Sequence, residues 1–328
     1  MTDTDLPWLA APLAQWTTPP RGHAWLLHGA AGDGALELAL RLAQAWLCDN
    51  RQPGGPCGVC ASCHLSQTAL HPDLLLLAPE AHLAEHPALA AWRAREDAPD
   101  GKRKPSRDIK VDAVRHAIDW SHASASRSQG KVMLLFPADA MNAVASNALL
   151  KTLEEPPAGV RLLLVTDDPE RLLPTLRSRC QRWRLQGPDA ATATAWLQAQ
   201  GVAEPQVLLA AAGGLPLTAR AWAAGGLDAA AWRALPRQVV RGAGLPDLPP
   251  PQWVAVLLKL CHDAMAVAAG APPRYFPPGS VPEAVSLTRL DAWRGALLAV
   301  AAHAEHPWHA PLLTERLLAQ AQAALRVK

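Results

Sequence analysis

Ala24-Trp25-Leu26-Leu27-His28-Gly29-Ala30-Ala31-Gly32-Asp33-Gly34-Ala35-Leu36 carries the first clear structural signal of this chain. The apolar run Ala24 to His28 reads as a buried strand. A glycine turn follows, and a helix-like run extends from Gly34 to about Cys48. Strand, glycine turn and helix start form the setting of a phosphate-cradling loop, whose pattern is GxxxxGK[ST]. Gly29 and Gly34 hold the required spacing, with Gly32 between them. The lysine position is Ala35 and the Ser/Thr position is Leu36. Neither side chain can donate to a phosphate or ligate Mg²⁺. Asp33 adds a negative charge inside the loop. Taken alone, these features also describe an ordinary strand-to-helix glycine turn.

Outward from this stretch, Leu74 to Leu77, Val132 to Phe136 and Val160 to Thr166 read as further buried strands. Short apolar runs between helical segments indicate an α/β layer with a mostly parallel sheet. Isoleucine occurs only at Ile109 and Ile118, while Ala and Leu abound, so the sheet should be small and covered by helices. The segment from Glu80 to Arg107 reads as a helix plus a mobile loop. Its Gly101-Lys102-Arg103-Lys104-Pro105 cluster is a solvated loop or a phosphate contact. After Gln186-Gly187-Pro188 the strand signals stop. Small helices follow, punctuated by Gly213-Gly214 and Gly225-Gly226. Leu245 to Pro251 reads as a stiff connector or helix break. Helices then run from Gln252 to the end, interrupted between Ala271 and Pro282. The expected domains are 1–187, 188–228 and 229–328.

The chain has 328 residues, 50% of them apolar and 18% charged, which argues against wholesale disorder. A net charge of +2 leaves no strong footprint of a nucleic-acid-coating protein. No uncharged apolar run reaches the ~18 residues of a membrane span. The acidic start Met1-Thr2-Asp3-Thr4-Asp5 is unlike a secretory signal. The expectation is a soluble cytoplasmic protein with no membrane partner, in which cysteines are thiols or metal ligands and not disulfides.

Cys48, Cys57, Cys60 and Cys63 form a C-x8-C-x2-C-x2-C cluster. Four thiolates within one short, glycine-rich segment can close a tetrahedron around Zn²⁺, with Zn–S near ~2.3 Å. All four positions are protein ligands, which points to structural and not catalytic zinc. The neighbouring His64 could replace one cysteine, and four unmetallated thiols are the bland alternative. A redox reading of Cys57 and Cys60 is weakened because Cys63 continues the run.

Ser146-Asn147-Ala148-Leu149-Leu150-Lys151-Thr152-Leu153-Glu154-Glu155-Pro156-Pro157 is a longer and more specific string. Arg171-Leu172-Leu173-Pro174-Thr175-Leu176-Arg177-Ser178-Arg179-Cys180 follows it. With the glycine loop and the cysteines, these residues resemble the delta-prime subunits of bacterial DNA polymerase III clamp loaders, members of the AAA+ family. The resemblance covers most of residues 20 to 190. It implies an AAA+ type P-loop-like domain with a zinc-binding insertion, a helical lid domain and an all-α C-terminal collar domain.

It also implies a stator without ATP hydrolysis of its own, in a heteropentameric ring with the clamp-loader ATPase subunits and the delta subunit. That ring opens a sliding clamp and places it on primed DNA. By the same resemblance, Arg179 enters the neighbouring subunit's ATP site; by spacing alone it is a surface salt-bridge residue. Lys131 to Ala140 looks like the strand that ends in Asp-Glu in active relatives, and those two positions hold Phe136 and Pro137. Asp139 lies beyond both and is assigned no metal. A lid arginine expected near Gly213-Gly214-Leu215 aligns with Pro216, with Arg220 nearby. Two rival readings are a working ATPase, which would need Lys and Ser/Thr at 35 and 36, and a zinc-dependent DNA-binding module, against which the near-neutral charge weighs.

Overall fold

The computed structural model describes residues 6–18, 22–95, 105–127, 129–242, 250–283, 285–303 and 309–326. The acidic start, residues 101–104 of the basic cluster and residues 245–249 of the connector lie outside them. The chain divides into two compact units, Met1–Pro188 and Asp189–Lys328.

The first unit is built on five parallel strands: β1 Ala24–His28, β2 Leu74–Leu77, β3 Lys131–Leu135, β4 Val160–Thr166 and β5 Gln181–Arg184. Their order across the sheet is β2-β3-β4-β1-β5. The helices are α1 Ala10–Thr17, α2 Ala35–Leu47, α3 Ala61–Gln67, α4 Glu80–Glu85, α5 Ala90–Arg93, α6 Val111–His122, α7 Ala143–Glu154 and α8 Pro174–Arg177. Strand β3 begins one residue earlier than its apolar run because Lys131 is buried. Its Nζ donates to the Trp120 carbonyl at 2.6 Å and lies 4.4 Å from the Trp120 ring centroid.

Both faces of the sheet are covered, as continuous apolar strands require. Leu26, Met133, Leu135, Leu162 and Leu164 form one core with residues of α6 and α7, including Val114, Ala117, Ala145 and Leu149. Helix α2 covers the opposite face, where tryptophans dominate. Trp183 stacks on Trp16 with centroids 4.6 Å apart and on Trp25 at 5.4 Å, and Trp46 meets Trp25 at 5.1 Å. Such pairs add ~0.5–1.5 kcal/mol each beyond the area they bury.

Among its described residues the second unit is all helical: α9 Ala190–Ala199, α10 Pro205–Ala211, α11 Pro216–Ala224, α12 Ala229–Arg241, α13 Pro250–Ala268, α14 Leu287–Ala301 and α15 Ala310–Leu325. Asp189 and Asp228 cap α9 and α12, accepting from the backbone N–H of Thr192 and Ala231 at 2.7 Å each. Gly213 and Gly214, at φ +78° and +91°, supply the left-handed residues that separate α10 from α11. Helix α13 starts on the prolines at 250 and 251, inside the expected connector, because the first helical turn tolerates a missing N–H. Trp232, Leu257, Leu260, Trp293, Leu297 and Leu317 belong to one core of this unit.

Between α13 and α14 the chain is held by Asp263. Its fully buried carboxylate accepts from the backbone N–H of Arg274, Tyr275 and Phe276 at 2.9, 2.7 and 2.8 Å. Among the described residues no single helix is long and apolar enough to cross a membrane.

Candidate functional site

The glycine loop leaves β1 and enters α2 through Gly32 and Gly34, both left-handed at φ +99° and +96°. The Asp33 side chain turns back into this loop. Its Oδ2 accepts from the Ala30 N–H at 3.1 Å, and its own N–H donates to the Ala30 carbonyl at 3.0 Å. Asp33 is buried, and burial pushes its pKa above the ordinary aspartate value, partly opposed by the Ala30 N–H. The carboxylate leaves room only for glycine at 187, where a Cβ would stand 2.6 Å from Oδ1.

The N-terminal turn closes over the loop. A Cβ on Gly34 would meet Leu6 and Leu9 at 3.1 and 3.3 Å, and Trp8 Nε1 donates to the Asp33 carbonyl at 2.7 Å. Leu36 is buried. An internal carboxylate therefore takes an N–H of a loop type that elsewhere points its donors at phosphate.

At the end of β3, Phe136 stands edge-on to two imidazoles, His82 and His86, with centroids 6.0 and 5.5 Å away. Burial lowers the pKa of both histidines, so an aromatic cluster occupies the position expected for acidic metal ligands. Asp139 is engaged elsewhere. It accepts from Thr166 Oγ1 at 2.6 Å and pairs with Arg171 at 3.3 Å.

The four cysteines converge at the C-terminal end of α2 and the start of α3. Their Sγ atoms all lie within 4.8 Å of one another, and His64 is not part of the cluster. Cys48 is 3.5 Å from Cys57 and 3.7 Å from Cys60, and Cys57 is 3.9 Å from Cys63. A tetrahedron with Zn–S of ~2.3 Å has S···S edges of about 3.8 Å. The spacing thus fits a shared metal ion and is far too long for a disulfide. Backbone N–H groups of Val59 and Cys60 lower the Cys57 pKa to about 6, while burial raises those of Cys48 and Cys63. Cys57 and Cys63 also donate their own N–H groups to Cys48 Sγ and Cys60 Sγ, at 3.4 Å each. Asp49 braces the segment through Ser62, accepting from its hydroxyl at 2.9 Å and its N–H at 3.2 Å.

Arg179 follows α8, and its side chain is one-third exposed. Its Nε donates to Glu154 Oε1 at 2.6 Å, Nη2 pairs with the same oxygen, and Nη1 donates to the Thr175 carbonyl at 2.9 Å. Glu154 is the last residue of α7. The carboxylate at the end of this helix is therefore the ionic partner of Arg179. In the second unit Pro216 opens α11, and Arg220 lies over the Trp196 ring at 5.3 Å.

A family model described as DNA polymerase III, delta subunit, matches residues 15–189, more than half of the chain. A DNA polymerase III subunit delta' from Pseudomonas aeruginosa is 40% identical over 60% of this chain and 55% of its own length. The chain belongs to the DNA polymerase III delta-prime family. The Escherichia coli subunit delta' is 34% identical over 74% of this chain and 64% of its length. A DNA polymerase III subunit tau from Salmonella typhimurium is 32% identical over 51% of this chain and 22% of its length. The chain thus spans about half to two thirds of these delta-prime relatives. The region matched by the delta-prime family model contains the glycine loop, the cysteine cluster and Arg179, and it ends where the second unit begins.

Proposed function

We propose that this chain is a non-hydrolysing stator subunit of a DNA polymerase III clamp loader, which lends Arg179 to a neighbouring subunit's ATP site. The observation that carries this reading is the glycine loop closed on the Asp33 carboxylate, with Ala35 and Leu36 where phosphate and Mg²⁺ contacts are needed. Charge-assisted hydrogen bonds contribute ~1.5–3 kcal/mol each, so these losses weaken nucleotide binding by orders of magnitude. The aromatic cluster at Phe136 removes the remaining metal-binding position.

With no competent nucleotide site of its own, the useful chemistry of the first unit is what it presents to others. Arg179 is partly exposed on a short turn, and its planar fork suits a γ-phosphate. Glu154 fixes the guanidinium and acts as a positioning residue until a phosphate competes for it. The cysteine cluster holds structural Zn²⁺, since four protein ligands leave no open coordination position.

In this reading residues 188–228 serve as a helical lid and 229–328 as a collar that joins the ring. The partners are the clamp-loader ATPase subunits and the delta subunit in a heteropentamer, acting in the cytoplasm on a sliding clamp and primed DNA. The test is equilibrium binding of Mg·ATP and turnover by the chain purified free of ATPase subunits. Neither saturable binding nor DNA-stimulated hydrolysis is expected. Turnover by the pure chain would overturn the proposal.

A further inference from the structure

Arg161 and Arg51 make no ion pair with another described residue, and the charge of one acts on the other. Arg161, the second residue of β4, is half-buried. One Nη donates to the Gln129 carbonyl at 3.1 Å, and the guanidinium lies 6.0 Å from the Trp46 ring centroid. Arg51 belongs to the segment between Cys48 and Cys57. Burial lowers the Arg161 pKa, and the charge of Arg51 lowers it further. Two guanidiniums that repel each other form an arrangement that an anion relieves.

An open cavity of about 630 Å³ adjoins Arg161, lined in part by Ser126, Arg127, Gln129, Gly130, Gly159 and Arg161 itself. Arg127 adds a second guanidinium to the wall. Its Nη2 pairs with Asp49 at 3.2 Å, which leaves its other N–H groups to face elsewhere. The wall is held in place from behind. The fully buried Asp73 spends both carboxylate oxygens on the backbone N–H groups of Ser126 and Arg127, at 2.8 Å each. Gly130, at φ +87°, lets the two loops meet, because a Cβ there would stand 2.3 Å from the Gly159 carbonyl oxygen. The cavity opens at the strand ends opposite to the glycine loop, so the two sites are distinct.

We propose that this cavity is a phosphate-binding site, in which Arg161 and Arg127 grip a phosphate or pyrophosphate group in the field of Arg51. Arginine forks approaching from a strand and a loop, with a hydroxyl and a side-chain amide beside them, match an oxyanion whose oxygens point in several directions. A planar carboxylate is satisfied by one fork. The phosphate is either free or carried on a polynucleotide, and the inference is independent of the ring assembly proposed above.

The test uses the full chain with two probes, inorganic pyrophosphate and a fluorescently labelled single-stranded oligonucleotide. Wild-type protein is expected to bind pyrophosphate saturably. Arg161→Gln is expected to weaken binding by about tenfold or more, the loss of one charge-assisted pair. Arg161→Lys, which keeps the charge without the fork, should restore only part of it. Zinc content and melting temperature report whether each variant is folded. If Arg161→Gln fails that check, Arg127→Gln gives the same reading. Displacement of the oligonucleotide by pyrophosphate supports the site and assigns it to polynucleotide phosphate. Binding of pyrophosphate alone supports it as a small-anion site. Absence of saturable binding of either probe, or a folded glutamine variant that binds as tightly as wild type, overturns the proposal.

Discussion

Asp33 couples the electrostatics of the glycine loop to its stability. The folded chain holds this carboxyl above the ordinary value of 3.8, so its ionisation costs stability as pH rises through that range. Asn at this position keeps an oxygen for the Ala30 N–H and removes the buried charge. Asp33→Asn is therefore expected to raise stability at neutral pH by up to about 1 kcal/mol, a few degrees in Tm. The gain should shrink as pH falls toward about 4. Melting curves across that range check it, and destabilisation at neutral pH would show that the ionised carboxylate holds the loop. Arg179 gives the opposite case, a residue of small structural value. Its pair with Glu154 is half-exposed, and such pairs contribute ~0–1 kcal/mol. Denaturant unfolding of Arg179→Ala should show a loss below about 1 kcal/mol. Asp33 was legible in sequence because its contacts are local. The Glu154 partnership was not, because it joins residues 25 apart through the packing of α7 against α8.

Among the elements, the strands set by apolar runs were readable, and β1, β2 and β4 fall where the sequence puts them. Strand β5 was missed for a physical reason. Gln181-Arg182-Trp183-Arg184 lies at the sheet edge with only Trp183 buried, so its side chains carry no core signal. The interruption before α14 was visible as a proline-rich gap, but its anchor was not. Asp263 sits inside a helical run, and its three backbone partners follow 11 to 13 residues later. Asp263→Ala strands those N–H groups and should cost about 2–4 kcal/mol in denaturant unfolding. The cysteine segment is the element whose chemistry the spacing stated most directly. Metal analysis of protein prepared without chelators is expected to find about one zinc per chain. Chelation should loosen residues 48–63 while the sheet keeps its circular dichroism, because the tryptophan and leucine cores do not depend on the metal. A chain free of zinc and equally protected from proteolysis in that segment would remove the claim.

At the scale of the whole molecule, composition announced a small helix-covered sheet and the end of strand signals after Pro188 announced the helices that follow, and this is the architecture found. Arg51, Arg127 and Arg161 illustrate what stayed hidden. They are scattered through the sequence, and only the parallel order of β3 and β4 brings Arg127 and Arg161 to one rim. The glycine loop is filled by its own aspartate, and Arg179 is partly exposed on the same unit. We propose from these that the chain contributes to ATP hydrolysis without performing it. The most direct measurement is the ATPase rate of reconstituted clamp-loader complexes carrying wild-type chain, Arg179→Ala or Arg179→Lys, with assembly verified by gel filtration. An arginine acting in trans contributes ~10³–10⁵ in kcat at its site in GTPases. Turnover at the single facing site should therefore collapse in Arg179→Ala, while total ATPase falls by a smaller factor set by the other sites. Arg179→Lys should recover little, since an ammonium keeps the charge but not the fork. Unchanged rates in a correctly assembled Arg179→Ala complex would contradict the account and leave Arg179 as the surface partner of Glu154.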